Sequence, residues 1–320
     1  MKEGISLFLK GAAMGAANVI PGVSGGTVAF ITGIYERMIH AIKGIDSGAL
    51  KLLAKRDFRG FSGRIDLPFL FWLGIGVVVS ILTLASLLEY LFEHHEIYVW
   101  SFFFGLILAS IYFVGKQVKT WSAGPVVGFL IGASIAVGVA LLKPGTENDS
   151  VWYLVICGIV AMASMIIPGL SGSFVLLLMG NYQLIMIESV SGLKSLDKDA
   201  IFTLIPVGIG AVLGLLLLSR ALAWVFQNHH DLAVALLTGF VAGSLLIIWP
   251  WKNEVVETFE AAGKVKEKVI GYDWYFPGAG ASTWIAVAVM LAGFVIVWLM
   301  EKSGATLPEE GEDVLEESDS

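Results

Sequence analysis

A stretch in the first half of this chain, NVIPGVSGGT at positions 18–27, returns in the second half as MIIPGLSGS at positions 165–173. Each copy sets Pro-Gly-x-Ser-Gly inside apolar sequence: Pro21, Gly22, Ser24 and Gly25, then Pro168, Gly169, Ser171 and Gly172. Each runs on to a Gly-x-Tyr beginning nine residues after its serine, Gly33 with Tyr35 and Gly180 with Tyr182. Such an element is costly in a hydrophobic run. Proline removes a backbone donor, glycine weakens a helix, and lipid supplies no water for the groups set free. At membrane depth it is tolerated where it packs inside protein or lines a cavity, which is where transporters built from broken helices hold their substrate.

The rest of the chain is membrane-like. Of 320 residues 57% are hydrophobic and only 15% charged, against about 25% charged in soluble domains, and the mean hydropathy is +0.81. No basic patch or nucleic-acid motif is present. The net charge of −7 owes much to the end of the chain, where residues 302–320 read as a solvated, disordered acidic tail. A single cysteine, Cys157, excludes an internal disulfide framework and a multi-Cys metal site. The opening Met-Lys-Glu-Gly followed by an apolar run without an A-x-A site reads as a first membrane element and not a cleaved leader.

Taken in order, residues 5–20 and 25–40 are two apolar pieces, each shorter than the ~20 residues of a perpendicular span. They predict a re-entrant helical hairpin, 5–40. A polar loop at 41–65 follows, then spans at 67–92, 97–115 and 122–143. The second half repeats the order, with a hairpin at 151–188 and spans at 201–226, 231–251 and 281–300. A shift of 134 residues pairs Gly74 and Gly76 with Gly208 and Gly210, Phe92 with Phe226, His95 with His229, Gly105 with Gly239, and Ser110 with Ser244. The expected architecture is therefore an all-α polytopic membrane protein of two repeats, 1–145 and 146–301. Three crossings plus a hairpin that returns to its own side make an odd count, so the repeats are expected to be inverted. Seven Lys and Arg from Arg37 to Arg64 place the 41–65 loop in the cytoplasm. The 252–280 loop, with four Lys and five acidic residues, argues neither way.

Helices that restart after Ser24 and Ser171 would present unpaired N–H groups and a dipole to an anion. Ser24, Thr27, Ser171 and Ser173 would add hydroxyl donors, and Gly22, Gly25, Gly26, Gly169 and Gly172 close approach to the backbone. Two such ends brought together by pseudo-symmetry would bind a phosphate or carboxylate. Close packing between helix hairpins is the plainer account of one break; two at equivalent positions favour a site. Glu36 and Arg37 close the first copy where the second has Gln183 and Leu184. Arg37 reads equally as a snorkelling cytoplasmic anchor or as a counter-charge for an anionic head group. Glu89 and Arg220, late in equivalent spans, are functional candidates by position. The His94–His95 and His229–His230 pairs suit helix ends better than a metal, because adjacent side chains do not share a helix face. Gly-x-Ser-Gly also occurs in intramembrane serine proteases, but no histidine lies inside a predicted span to serve as base. No cofactor or metal site is expected.

The first signature, Asn18 to Thr27 running into Gly33-Ile-Tyr-Glu-Arg37, and the second, Ile167 to Ser173, together resemble the polyprenyl-phosphate transporter family of bacterial and archaeal membrane proteins. The resemblance extends over nearly the whole chain up to the acidic tail. It implies a translocase in the cytoplasmic membrane that returns undecaprenyl phosphate to the cytoplasmic leaflet for envelope synthesis, and no enzyme activity. Head-group contacts would then fall on Asn18, Pro21, Gly22, Ser24, Gly25, Gly26, Thr27, Glu36 and Arg37, and on Pro168, Gly169, Ser171, Gly172 and Ser173; Arg220 joins them as a candidate by its position in a span. A coupling ion, H+ or Na+, is a candidate partner. A transporter or channel for a small soluble anion would use the same donors.

Overall fold

Apolar runs in this chain fold as helices, and polar capping residues set where several of them begin. A computed structural model describes residues 2–19, 25–189, 197–261 and 264–304. In order it contains α1 (Lys2–Val19), α2 (Gly25–Ile31), α3 (Tyr35–Lys43), α4 (Ser47–Ala54), α5 (Phe58–Arg64), α6 (Leu67–Gly115), α7 (Ala123–Leu141), α8 (Val151–Ile166) and α9 (Gly172–Leu178). A π-helical segment, α10 (Gln183–Ser189), leads to α11 (Lys198–Asn228) and α12 (His230–Ile248), then strands β1 (Lys252–Ala261) and β2 (Lys264–Trp274), and α13 (Ala281–Gly304).

Among the described residues five stretches are long and apolar enough to cross a membrane: Tyr90–Gly115, Ala123–Leu141, Lys198–Asn228, His230–Ile248 and Ala281–Leu299. A sixth arises if Leu67–Thr83 is counted with α5, across a 66° bend. The protein is thus a mostly helical, multi-pass membrane protein.

Several expectations need correction. The chain is not all-α, because 252–274 forms an antiparallel hairpin pairing Lys252 with Trp274 and Ala261 with Lys264. Its Val, Thr, Ile and aromatic content favours a pleated strand, a signal masked in the sequence by the charges between them. The 41–65 segment is not a plain loop. It holds α4 and α5, capped by the carboxylates of Asp46 on the Ala49 N–H and Asp57 on the Gly60 N–H, both at 2.9 Å. Arg64 pairs with Asp46 and holds its carboxyl well below the usual carboxylate range. The predicted spans 67–92 and 97–115 follow one another within α6 as two helices separated by a kink, where the backbone leaves helical geometry at His95 (φ −142°, ψ 34°). The second arm of each expected hairpin is also not one helix. It breaks at Gly33 (φ +71°) and at Gly180 (φ +79°), a region that glycine enters without the Cβ penalty. The start of the acidic tail continues α13 to Gly304, and its remainder lies outside the described residues.

Glycine sets the helix packing. A Cβ on Gly11 of α1 would overlap the Leu73 carbonyl oxygen of α6, and one on Gly76 the Phe8 carbonyl oxygen. The same contacts recur between α8 and α11, where Gly158 faces the Val207 carbonyl and Gly210 that of Val155. Gly105 of α6 and Gly293 of α13 meet the carbonyls of Met290 and Phe102, while Gly239 of α12 and Gly132 of α7 meet those of Phe129 and Leu236. Without side chains at these crossings the backbones approach closely, the usual device of helix packing in lipid. The last helix of each half therefore packs on the other half, α7 on α12 and α13 on α6. The main core lies between them around Tyr35, Ile39, Phe69, Phe226, Val234 and Leu237.

Candidate functional site

The two recurring stretches touch. The Gly169 N–H donates to Thr27 Oγ1 at 2.8 Å across 142 positions of sequence, and both residues are buried. Eight residues after Thr27, the Tyr35 hydroxyl donates to the Ile166 carbonyl at 3.0 Å. Each bond satisfies a main-chain group that a proline-glycine break leaves without a helical partner. Tyr35 is held by Phe30 and Phe226, with ring centroids 5.5 and 6.0 Å away. Gly169 takes φ +85° and lies so close to α12 that a Cβ there would stand 2.6 Å from the Phe240 carbonyl oxygen.

The second break is described throughout. Pro168, Gly169 and Leu170 are buried. Ser171 is extended (φ −106°, ψ 129°) and precedes α9 as its N-cap residue. Its Oγ lies 2.9 Å from that of Ser173, which is exposed. Gly172 is buried, and an added Cβ would stand 2.5 Å from Cγ of Met165. Of the first break, Gly25, Gly26 and Thr27 form the buried first turn of α2. Pro21, Gly22 and Ser24 lie outside the described residues, as does the side chain of Asn18 in the last turn of α1. Helices do restart after both serines, yet α2 and α9 have only seven residues each. Their dipoles are correspondingly short.

The ionisable residues gather at the far end of the first copy. Arg37 donates Nε to Asp66 at 2.6 Å and Nη1 to Glu3 at 2.8 Å, and stacks 4.6 Å from the Phe69 ring centroid. The Asp66 hydrogen bond, with that to Glu3, raises the guanidinium's proton affinity against the opposing effect of burial. Arg37, offered by the sequence as a phosphate contact, is thus already engaged by two carboxylates. Glu36 Oε1 lies 3.1 Å from Nε2 of His230, whose Nδ1 is 3.7 Å from Asp231. Asp231 accepts from the backbone N–H groups of Lys119 and Thr120. His230 therefore joins α3 to the start of α12, a tertiary role that helix-end capping did not foretell. Arg220 is an exposed residue of α11 and is not brought to these groups by any contact among the described residues. The side chain of Glu89 lies outside the description.

One residue of the site was missed. Lys10, in α1, donates from Nζ to the Thr32 carbonyl at 2.9 Å, where α2 ends before Gly33. A lone lysine in an apolar run carries no local signature of such a contact; its signal was being a charge in a segment otherwise apolar from Ile5 onward.

Two open cavities of about 460 and 420 Å³ flank the ends of α13 and α7. The first is lined by Ile97, Trp251, Tyr275 and Thr283 among others, the second by Ser122, His229, His230 and Asp231. Neither is lined by the described motif residues.

Comparison with known proteins follows the same outline. Residues 14–266 match a family described as undecaprenyl phosphate translocase-like. A Vibrio cholerae serotype O1 protein named polyprenyl-phosphate transporter is 36% identical over 303 residues, covering 93% of this chain and 96% of that protein. A Staphylococcus aureus protein of the same name is 31% identical over 255 residues, covering 76% of this chain and 85% of that protein. No solved structure matches.

Proposed function

Because this chain belongs to the undecaprenyl phosphate translocase-like family, we propose that it carries undecaprenyl phosphate, or another polyprenyl phosphate, between the leaflets of the cytoplasmic membrane as a transporter and not an enzyme. The observation that carries the reading at residue level is the contact of the two Pro-Gly-x-Ser-Gly copies, Gly169 N–H on Thr27 Oγ1. A pair of breaks built from both halves, holding each other shut, is what a translocation path with one central constriction requires. Passage of a head group then means opening that contact and offering it the same backbone and hydroxyl groups: Asn18 to Thr27 on one side, Pro168 to Ser173 on the other, with Glu36, Arg37 and Arg220 nearer the membrane surface.

The halves are read as inverted repeats, 1–145 and 146–301. The contacts between segments near the membrane surfaces support this. Arg37 meets Glu3 and Asp66, Glu36 meets His230, and Asp231 meets Lys119 and Thr120; an odd number of crossings per half assigns all of these segments to the cytoplasm. Asn148 meets Asn181, and Trp249 meets Tyr275, among the segments assigned to the other side.

Purified protein in liposomes loaded with undecaprenyl phosphate in one leaflet tests the proposal. Protein-dependent loss of the lipid phosphate from that leaflet, with no equal movement of undecaprenol, is the expected result. Movement no faster than in protein-free liposomes overturns it, and uptake of inorganic phosphate in its place transfers the function to a soluble anion.

A further inference from the structure

Lys10 is the only ionisable residue of α1 beyond Glu3, about 10 Å further along the helix at 1.5 Å per residue. It is half-buried. An ammonium group has three donors, and the Thr32 carbonyl takes one of them. Among the described residues no carboxylate lies within ion-pair distance of Nζ. The two carboxylates at that end of α1, Glu3 and Asp66, are both spent on Arg37. Arg37 adds a second positive charge close enough to act on Lys10. A cation partly withdrawn from water, with two donors unused among the described residues and a like charge acting on it, is an expensive arrangement for a fold to keep. An anion would supply what is missing.

The surroundings say what kind of anion. Ile5 and Leu9 line one face of α1, a neighbouring face to that of Lys10, and are 56% and 60% exposed, as residues facing hydrocarbon are. Gly33, beside the Thr32 carbonyl, is exposed and has no atom within 4 Å of where a Cβ would stand, so the turn itself is open. The equivalent of Lys10 in the second copy, 147 positions on, is Cys157, a buried and uncharged residue. The cation thus belongs to one copy alone.

Resting on the transport reading above, we infer that Lys10 is a head-group contact for a phosphate monoester carried on an apolar chain, with the phosphate on the Lys10 ammonium and the chain leaving the turn toward the exposed apolar side of α1. The chemistry recognised is a phosphate, and its two sources, lipid and free ion, are separated by experiment.

Apparent affinities for undecaprenyl phosphate, undecaprenol and inorganic phosphate are measured by ligand-induced thermal stabilisation in detergent, on the full chain and on Lys10→Gln, Lys10→Met and Lys10→Arg. The expected result is roughly tenfold weaker binding of the lipid phosphate by Lys10→Gln, the scale of one charge-assisted contact. Lys10→Arg should retain most of the affinity, and the alcohol should bind all forms alike. Ligand-free melting of Lys10→Gln should not fall, because a charge lacking a counter-ion is removed; if that variant does not fold, Lys10→Met keeps the apolar stem and carries the test. Unchanged affinity for the lipid phosphate in the folded variant overturns the role of Lys10 while leaving the transport reading standing. A wild-type chain that does not distinguish lipid phosphate from alcohol overturns the transport reading itself. Lys10-dependent binding of inorganic phosphate at the strength of the lipid overturns the lipid part of the inference.

Discussion

At Gly33 and Gly180 the chain makes the same left-handed turn, with φ +71° and +79°, in quite different surroundings. No atom lies within 4 Å of a Cβ placed on Gly33. A Cβ on Gly180 would stand 2.5 Å from the Gly145 carbonyl oxygen and 2.6 Å from Thr146. The difference extends along both copies. The second is clamped: Asn181, fully buried, accepts from the Asn148 N–H at 2.9 Å and donates to its carbonyl at 2.7 Å, and the Gly145 N–H reaches the Leu178 carbonyl at 2.7 Å. In the first copy the same places hold Ile34, an open turn, and the charges Lys10, Glu36 and Arg37, against Cys157, Gln183 and Leu184 in the second. One backbone device thus serves twice, once as a fixed wall and once beside ionisable groups. Of the two copies, only the first carries Lys or Arg, at Lys10 and Arg37.

The sharpest way to break this comparison is to put a methyl group at each turn. Gly180→Ala bears the left-handed cost and an overlap that the clamped loop cannot relieve, about 3 kcal/mol or more in all. Gly33→Ala bears only the first, about 1–2 kcal/mol. Apparent melting temperatures in detergent should rank the two in that order. Equal losses would mean that the Gly145–Thr146 loop yields and the second copy is no more fixed than the first.

Much of this organisation is legible in the sequence. The breaks, the helices around them and most of their ends follow from local rules, because proline, glycine and a change of hydropathy act over a few residues. The 134-residue shift singled out Gly76, Gly105, Gly210 and Gly239, each of which sits at a helix crossing; Gly74 and Gly208, matched by the same shift, touch nothing. What escaped was tertiary. Nothing local tells Thr27 that Gly169 will be its partner, or that α7 will pack on α12 and α13 on α6. The engagement of Arg37 by Glu3 and Asp66 joins residues up to 34 positions apart, and only that engagement makes Lys10 stand out. The hairpin at 252–274 reads as a loop in the sequence because its charges outweigh its β-branched residues.

The Thr27–Gly169 contact tests whether the copies depend on each other. Thr27→Val keeps the shape and removes the acceptor, leaving a buried N–H without a partner at a cost of about 1–3 kcal/mol. Thr27→Ser restores the oxygen and should recover most of that loss. If Thr27→Val melts with the wild type, the Gly169 N–H finds another acceptor and the two breaks are neighbours without being coupled.

The smallest expected effect separates the paired tyrosines. Tyr35 is buried and donates to the Ile166 carbonyl in the other half, so Tyr35→Phe removes one net hydrogen bond, about 1 kcal/mol. Tyr182, at the matching position, is only half-buried and its hydroxyl makes no hydrogen bond among the described residues, so Tyr182→Phe should stay within about 0.5 kcal/mol of wild type. Melting curves of the two variants should therefore differ although the substitution is identical. If they fall together, Tyr182 has a partner of equal worth when the protein works, and the asymmetry between a charged first copy and a clamped second one would not extend to the residues that tie the halves together.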